Sequence, residues 1–320
     1  MHFDPDNIIL SHFPRSVNRF FLTNEGFRYI IKLIKKLGGH IMAQLFMRYP
    51  GGVAKALTFS YDDGVDQDIK FIEILDKNGL KGTFNINSGR FAPEGKVYAE
   101  GQIHRPMTEK RVFELYKNSG HEVAVHALTH PHLEQMPPER IAYEIVKDRE
   151  NLEALFGEII RGMAYPYGTH NPTVVEVLRA CGIVYARTTA VTGRFDIPTD
   201  WLRLPATCKH TDPKLMEYAR KFADMKVTKD GAKLFYVWGH TYEFEGDNNW
   251  NVIEEFAEFM GGREDIWYAT NIEIYEYIKD FESLVYSVDG SIVKNPTART
   301  LYYYLNGKIG EIAPGETKRV

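Results

Sequence analysis

From Lys55 onward, short runs of apolar and β-branched residues alternate with stretches in which apolar residues recur every three or four positions. The short runs fall at 55–61, 82–86, 122–127, 162–165, 184–188, 202–205, 233–238 and 266–269. Most are nearly continuous in apolar character, the pattern of parallel strands covered on both faces. The longer period predicts helices at 66–78, 108–118, 138–156, 172–180, 213–225, 250–260 and 272–281. Thr108, Asn171, Asp212 and Asn271 stand where N-caps belong, and Gly79, Gly120, Gly157, Gly182 and Gly261 where helices must stop. Seven or eight βα units in one chain predict an α/β fold, a (β/α) barrel that is complete or slightly irregular. Alternation alone does not decide closure, so a doubly wound open sheet is the alternative. The Gly-rich dinucleotide fingerprint that such a sheet often carries after its first strand is absent.

Both ends depart from this pattern. After about Val285 the turn signals Asp289-Gly290 and Asn306-Gly307 appear, the second flanked by β-rich runs at 301–305 and 308–313. They predict a small antiparallel β appendage over 285–320. Residues 1–41 carry Arg15, Arg19, Arg28, Lys32, Lys35 and Lys36 against Asp4, Asp6 and Glu25, a net charge of +3. Residues 20–41 read as a basic amphipathic helix interrupted by Gly38 and Gly39. Such a helix can lie on a membrane surface or a partner; the expectation here is an extension outside the catalytic fold, which then occupies 42–284.

Composition narrows the class. The chain has 320 residues, 44% hydrophobic and 26% charged, ordinary values for a globular protein. A net charge of −4 gives no concentrated basic surface for nucleic acid. Cys181 and Cys208 form no C-x-x-C pair and predict reduced thiols. No apolar run is long enough to span a bilayer and no signal peptide is recognisable, so a cytoplasmic location is the default expectation.

Candidate chemistry gathers at strand ends. The first strand ends in Tyr61-Asp62-Asp63-Gly64. Two adjacent carboxylates raise each other's cost of ionisation unless a cation relieves it. In isolation an Asp-Gly turn is the simpler explanation. The third strand ends in His126-Ala127-Leu128-Thr129-His130-Pro131-His132. His126 and His130, four apart, share a face of a helical turn and can hold one metal. Two imidazoles and a carboxylate leave zinc an open position, as catalytic sites require. His132 is better suited to a supporting or solvated role. The fourth strand leads into Tyr165-Pro166-Tyr167-Gly168, whose turn can aim a backbone N–H into a cavity, and the seventh into Trp238-Gly239-His240, where a histidine suits a general acid. Each has a bland reading, but all fall at C-terminal strand ends, where barrel enzymes assemble their sites.

These motifs resemble the polysaccharide deacetylases of carbohydrate esterase family four, over about 42–281. The family's Thr-Phe-Asp-Asp-Gly motif is met by Ser60-Tyr61-Asp62-Asp63-Gly64, and His-Ser/Thr-x-x-His by His126-Ala127-Leu128-Thr129-His130. Arg-x-Pro-Tyr-Gly becomes Ala164-Tyr165-Pro166-Tyr167-Gly168, and Leu-x-His becomes Trp238-Gly239-His240. The resemblance implies that Asp62 is the catalytic base and His240 the acid. It implies one divalent metal, zinc first, on Asp63, His126 and His130, with the Tyr167 N–H facing the oxyanion. The implied reaction is hydrolysis of an acetyl amide on an N-acetylated sugar. Two departures stand out. Ala127 lacks the hydroxyl that braces the metal loop, and Ala164 replaces the arginine that pairs with the base. Arg187 and Arg203 are candidate replacements, and Asp200-Trp201 loosely matches the family's Asp-Trp motif.

Tyr61, Pro166, Trp238, Tyr242 and Trp250 are candidate walls of a sugar cleft, although aromatics at these places equally suit a core. The alternatives are a hydrolase of a small amide, ureide or O-acetyl ester on the same metal site, and a non-catalytic carbohydrate-binding protein.

Overall fold

Every apolar run after Lys55 forms a strand and every helical pattern a helix in the computed structural model, which describes residues 45–228 and 231–320. The basic helix expected within 1–41 lies outside the described residues. An unpredicted short strand, β1 (Phe46–Arg48), comes first. The series then runs β2 (Lys55–Asp62), α1 (Asp68–Lys77), β3 (Gly82–Ile86), α2 (Glu109–Tyr116), β4 (Glu122–Val125), α3 (Pro138–Phe156), β5 (Gly162–Ala164), α4 (Pro172–Ala180) and β6 (Tyr185–Val191). It continues with β7 (Leu204–Ala206), β8 (Cys208–Lys209), α5 (Leu215–Asp224), β9 (Lys233–Gly239), α6 (Thr241–Gly246), α7 (Asn251–Met260), β10 (Ile266–Tyr268) and α8 (Asn271–Glu282). Thr108 and Asn171 cap α2 and α4 through their side chains as expected. Asp212 instead accepts the Lys214 N–H in the turn before α5. Asn271 lies inside α8, its amide spent on Tyr236 and Thr58.

Closure is decided by one short segment. β7 pairs in parallel with β6, and β8 in parallel with β9. Between them Thr207 donates its N–H to Tyr236 O, while its carbonyl accepts from Gly193 N. Residues 204–209 therefore bond along both edges, and the order β7-β6-β5-β4-β3-β2-β9-β8 closes on itself. β10 is the irregular member: it pairs only with Lys55–Leu57 at the start of β2, before β3 joins at Phe59. The open-sheet alternative is thereby excluded.

Strand alternation separates two environments. On β2, Leu57, Phe59 and Tyr61 face the helices and pack in the main apolar core with Phe71 and Phe256. Burial of each such side chain contributes about 1.5–3 kcal/mol. Thr58, Ser60 and Asp62 point the other way, into a polar barrel interior where they meet Asn271, Asn85 and Arg187. The core is what holds the barrel, and the interior is where it can do chemistry.

The C-terminal strands β11 (Val285–Tyr286), β12 (Ile292–Lys294), β13 (Leu301–Leu305), β14 (Lys308–Ile312) and β15 (Thr317–Arg319) are antiparallel, as the turn signals predict. They divide between two compact units. One comprises Phe46–Glu282 with Leu301–Glu311; in it β13 pairs with β1, Phe46 opposite Tyr304. The other contains Ser283–Thr300 and Ile312–Val320, where β12 pairs with β11 and β15 and Asn295 ties the segment by donating to the Arg299 and Ile312 carbonyls. Cys181 and Cys208 are both free. Among the described residues no helix is long and apolar enough to cross a membrane.

Candidate metal centre and active site

Asp62 ends β2 pointing into the barrel, and Asp63 then turns out of the strand with φ 84°, its N–H donating to Asn85 O. The turn sends the two adjacent carboxylates to different partners. Asp63 Oδ1 lies 3.8 Å from His126 Nε2 and 3.9 Å from His130 Nε2. The ligand atoms of Asp63, His126 and His130 all lie within 4.8 Å of one another.

The loop carrying the two histidines is heavily braced. Ala127 and His130 both have positive φ, 60° and 59°, a left-handed conformation that costs a non-glycine residue about 1 kcal/mol or more. Glu144 and Asp148, one turn apart on α3, offset that cost. Glu144 accepts from Thr129 N and Thr129 Oγ1, and Asp148 from His126 N and Ser88 N. The Asn87 amide donates to the carbonyls of His126 and Ala127. The hydroxyl missing at Ala127 is thus replaced by contacts from two neighbouring elements. Burial pushes the Asp148 carboxyl up to about 7, against the pull of its hydrogen bonds.

The cluster fits a divalent metal. His126 Nδ1 lies 2.8 Å from Ala164 O; as the donor there, it leaves the Nε2 lone pair facing Asp63. Burial, then the neighbouring His126, lowers His130 to about 4, so its ring is neutral and able to ligate near neutral pH. Two imidazole nitrogens and one carboxylate oxygen form a set suited to zinc. Ligands about 2.0–2.1 Å from a tetrahedral ion stand roughly 3.3–3.4 Å apart, so the two edges that Asp63 makes with the histidines need to close by about half an ångström.

Asp62 is held by Arg187, whose Nη2 contacts both carboxylate oxygens, and by the Asn85 amide at 2.9 Å. Both members of the ion pair are buried. Burial, the largest single influence, raises the Asp62 carboxyl, but the charges of Arg187, His126 and His240 and the Arg187 hydrogen bond together outweigh it and the net shift is downward. Arg187 stands directly opposite Ala164 on the adjacent strand. Arg203 is elsewhere, bonded to Asp200 at 2.8 Å, and Trp201 packs on Tyr275, so neither Arg203 nor the Asp200-Trp201 pair enters the site.

His240, at the end of β9, places Nε2 3.8 Å from Asp62 Oδ2 and Nδ1 3.3 Å from Glu243 Oε1. Burial disfavours its protonation, yet Glu243, Asp62 and Asp63 raise it above the usual histidine range. Glu243 is itself held down to about 2: burial raises it, and its close contact with His240 and the hydrogen bond from Lys209 more than reverse this. Gly239 has no room for a side chain, because a Cβ would strike the ring of His210.

The Pro166–Gly168 turn brings Tyr167 beside the cluster, its ring 4.5 Å from His130 and stacked on His132 at 4.0 Å. Tyr167 has φ 58° and Gly168 φ 72°, and a Cβ at Gly168 would run into Thr189. His132 lies outside the ligand cluster, with Nδ1 3.2 Å from Glu134 Oε1. Of the candidate walls, Tyr242 stands at the rim, its ring 5.1 Å from both His104 and His240. Pro166 is buried under the turn.

Three aromatic expectations need correction. Tyr61 is 1% exposed and packs against Phe71, His210 and Phe244, because the residue before an inward-facing Asp62 must face the helices. Trp250 covers Phe244 and Lys70, on the helical layer rather than the site. Trp238 points inward but is buried under Arg187, 4.6 Å from its guanidinium, and supports the ion pair instead of lining a cleft.

Sequence reasoning missed Glu243, Lys209, Glu144, Asp148, Asn85, Asn87 and His104. A signal existed for two of them: the buried stripe Ile141, Glu144, Ile145, Asp148, Leu152 of α3 carries two acids where apolar residues belong.

The family model for polysaccharide deacetylases matches residues 50–186, which contain Asp62, Asp63, His126, His130 and Tyr167 and stop just before Arg187. No curated protein matches the chain. Several solved structures are similar. A Mycobacterium smegmatis protein assigned as a polysaccharide deacetylase is 15% identical, with 76% of this chain and 96% of that chain covered and a TM-score of 0.51. The Streptococcus pyogenes deacetylase PplD, in complex with acetate, is 22% identical over 46% of this chain with a TM-score of 0.40, and the match spans 61% of its own length. A family 4 carbohydrate esterase pseudoenzyme from Bacillus anthracis is 16% identical, with 72% and 68% covered and a TM-score of 0.44. At 15% identity the likeness to the Mycobacterium smegmatis protein speaks to fold alone. Over residues 50–186 the chain is similar to the polysaccharide deacetylases.

Proposed function

We propose that this protein is a metal-dependent hydrolase that removes the acetyl group from an N-acetylated sugar, with residues 42–284 as its catalytic part. One arrangement carries this: an Asp63-His126-His130 cluster flanked by a buried, paired carboxylate, Asp62, and by a carboxylate-supported histidine, His240. A bound divalent ion, zinc by the chemistry of its ligands, supplies Lewis-acid polarisation of the acetyl carbonyl and of water.

The remaining work falls to the chain's own groups. Asp62, kept ionised by Arg187, accepts the proton of the attacking water. The Tyr167 N–H donates to the oxygen on which negative charge develops. His240, whose affinity for a proton is raised by Glu243, hands that proton to the departing amine nitrogen. Water and the amide are consumed; acetate and a free amine leave. The ring of Tyr242 at the rim, with that of Tyr167, offers an apolar face to a pyranose.

Acetate release from N-acetylglucosamine oligomers, small amides, ureides and acetylated xylan tests this. Turnover of the oligomers is expected. Release from only a small amide or ureide, or from only the O-acetyl ester, moves the substrate class while keeping the metal site. Binding of oligomers with no release from any substrate identifies a carbohydrate-binding protein instead.

A further inference from the structure

The other oxygen of Asp63 has a partner that no motif announces. His104, in the loop between β3 and α2, lies with Nε2 3.4 Å from Asp63 Oδ2. The two oxygens are therefore divided: Oδ1 faces His126 and His130, and Oδ2 faces His104. We propose that His104 is a positioning residue of the metal centre, donating Nε2–H to Asp63 Oδ2 so that Asp63 offers a metal Oδ1 alone. This rests on the assignment of Asp63, His126 and His130 as ligands.

The loop is built to hold that ring in place. Residues on both sides of His104 are pinned to the four residues that follow Asp63. Met107 N donates to Gly64 O, Asp66 N to Arg105 O, and Gln67 Nε2 to Ile103 O at 2.6 Å. Arg105, adjacent to His104, makes a two-pronged pair with Glu245 on α6, both bonds 2.7 Å, and Gln67 Nε2 also reaches Glu245 at 2.8 Å. From the side, the ring of Tyr242 stands edge-on to His104 at 5.1 Å. His104 is thus located from its own backbone, from α6 and from the strand end that carries Asp63. A long flexible loop that merely passed the site would need none of these ties. Hydrogen bonds to a ligating carboxylate fix its orientation and tune the metal, and their loss weakens metal binding about 10- to 100-fold.

The test is metal binding. Zinc affinity is measured by competition with a chromophoric chelator on the folded full chain, and the cobalt-substituted protein is followed by its visible absorption. His104→Ala is expected to bind zinc about 10- to 100-fold more weakly and to lose cobalt absorption intensity, because a freed Asp63 binds through both oxygens and raises the coordination number. His104→Gln, which keeps an N–H donor, is expected to recover most of both. Wild-type affinity and spectrum in His104→Ala, or a His104→Gln no better than His104→Ala, overturns the role. Should His104→Ala fail to fold, Arg105→Ala loosens the loop while leaving the ring intact and is expected to weaken zinc binding in the same direction; unchanged affinity there also overturns it. Failure of the wild-type chain to take up either metal is a different result, which removes the metal centre itself.

Discussion

Arg187 reaches Asp62 from β6, one strand beyond Ala164, the position at which the motif would carry arginine. The two positions are directly opposed on adjacent parallel strands and so share the inward face, about 4.8 Å apart. A guanidinium starting from either can span that offset, so Arg187 can make the pairing that the motif would assign to position 164.

Removing the arginine alone strands a buried carboxylate. Arg187→Ala should cost about 3–5 kcal/mol of stability, read by urea unfolding, and lower hydrolysis by at least about 100-fold. Adding Ala164→Arg to that variant should recover part of both losses. A double variant no better than Arg187→Ala would show that the two strand positions are not interchangeable.

Binding and chemistry should separate between the adjacent carboxylates. His126→Ala and His130→Ala are expected to lose most bound metal in elemental analysis. Asp62→Asn should keep the metal and lose most hydrolysis, since it removes a base. The opposite outcome, metal lost in Asp62→Asn but kept in Asp63→Asn, reverses the assignment.

The pH profile follows from two shifts of opposite sign. Asp62 is held below the usual carboxylate range and must be ionised; His240 is held above the usual histidine range and must be protonated. kcat/KM should therefore form a broad bell. Glu243→Gln removes the nearby carboxylate charge that helps to raise His240, so the alkaline limb should move to lower pH. His240→Asn should nearly abolish N-deacetylation yet retain relatively more activity on an aryl acetate, whose leaving group departs unaided. Equal losses on both substrates would argue against a role in protonating the amine.

A chain beginning at Met42 should fold and remain active. It keeps β1, which pairs with β13, and every strand of the barrel. A chain beginning at Val53 loses β1 and leaves β13 an unpaired edge, so its melting temperature should fall further. Equal melting temperatures would show that the β1 pairing adds no stability.

What the sequence by itself determined was local in origin. Strand and helix alternate because near-continuous apolar runs and apolar periods of three to four are written residue by residue, and 138–156 and 172–180 matched their helices to the residue. Asp62, Asp63, His126, His130 and His240 were legible because each stands at a strand end or in the loop that follows it and carries ligand or acid–base chemistry. Tyr61 was misread as a cleft wall, although strand parity turns it outward once Asp62 faces inward. Neighbourhood across the barrel was not legible. Thr207 closes the sheet only because its two edges meet β6 and β9, and Arg187 serves Asp62 only because β5 and β6 lie side by side. Glu243 and His104 reach the site through a helix turn and a pinned loop whose directions no local pattern encodes. Those contacts join residues far apart in the chain, and only the packed barrel brings them within hydrogen-bonding distance.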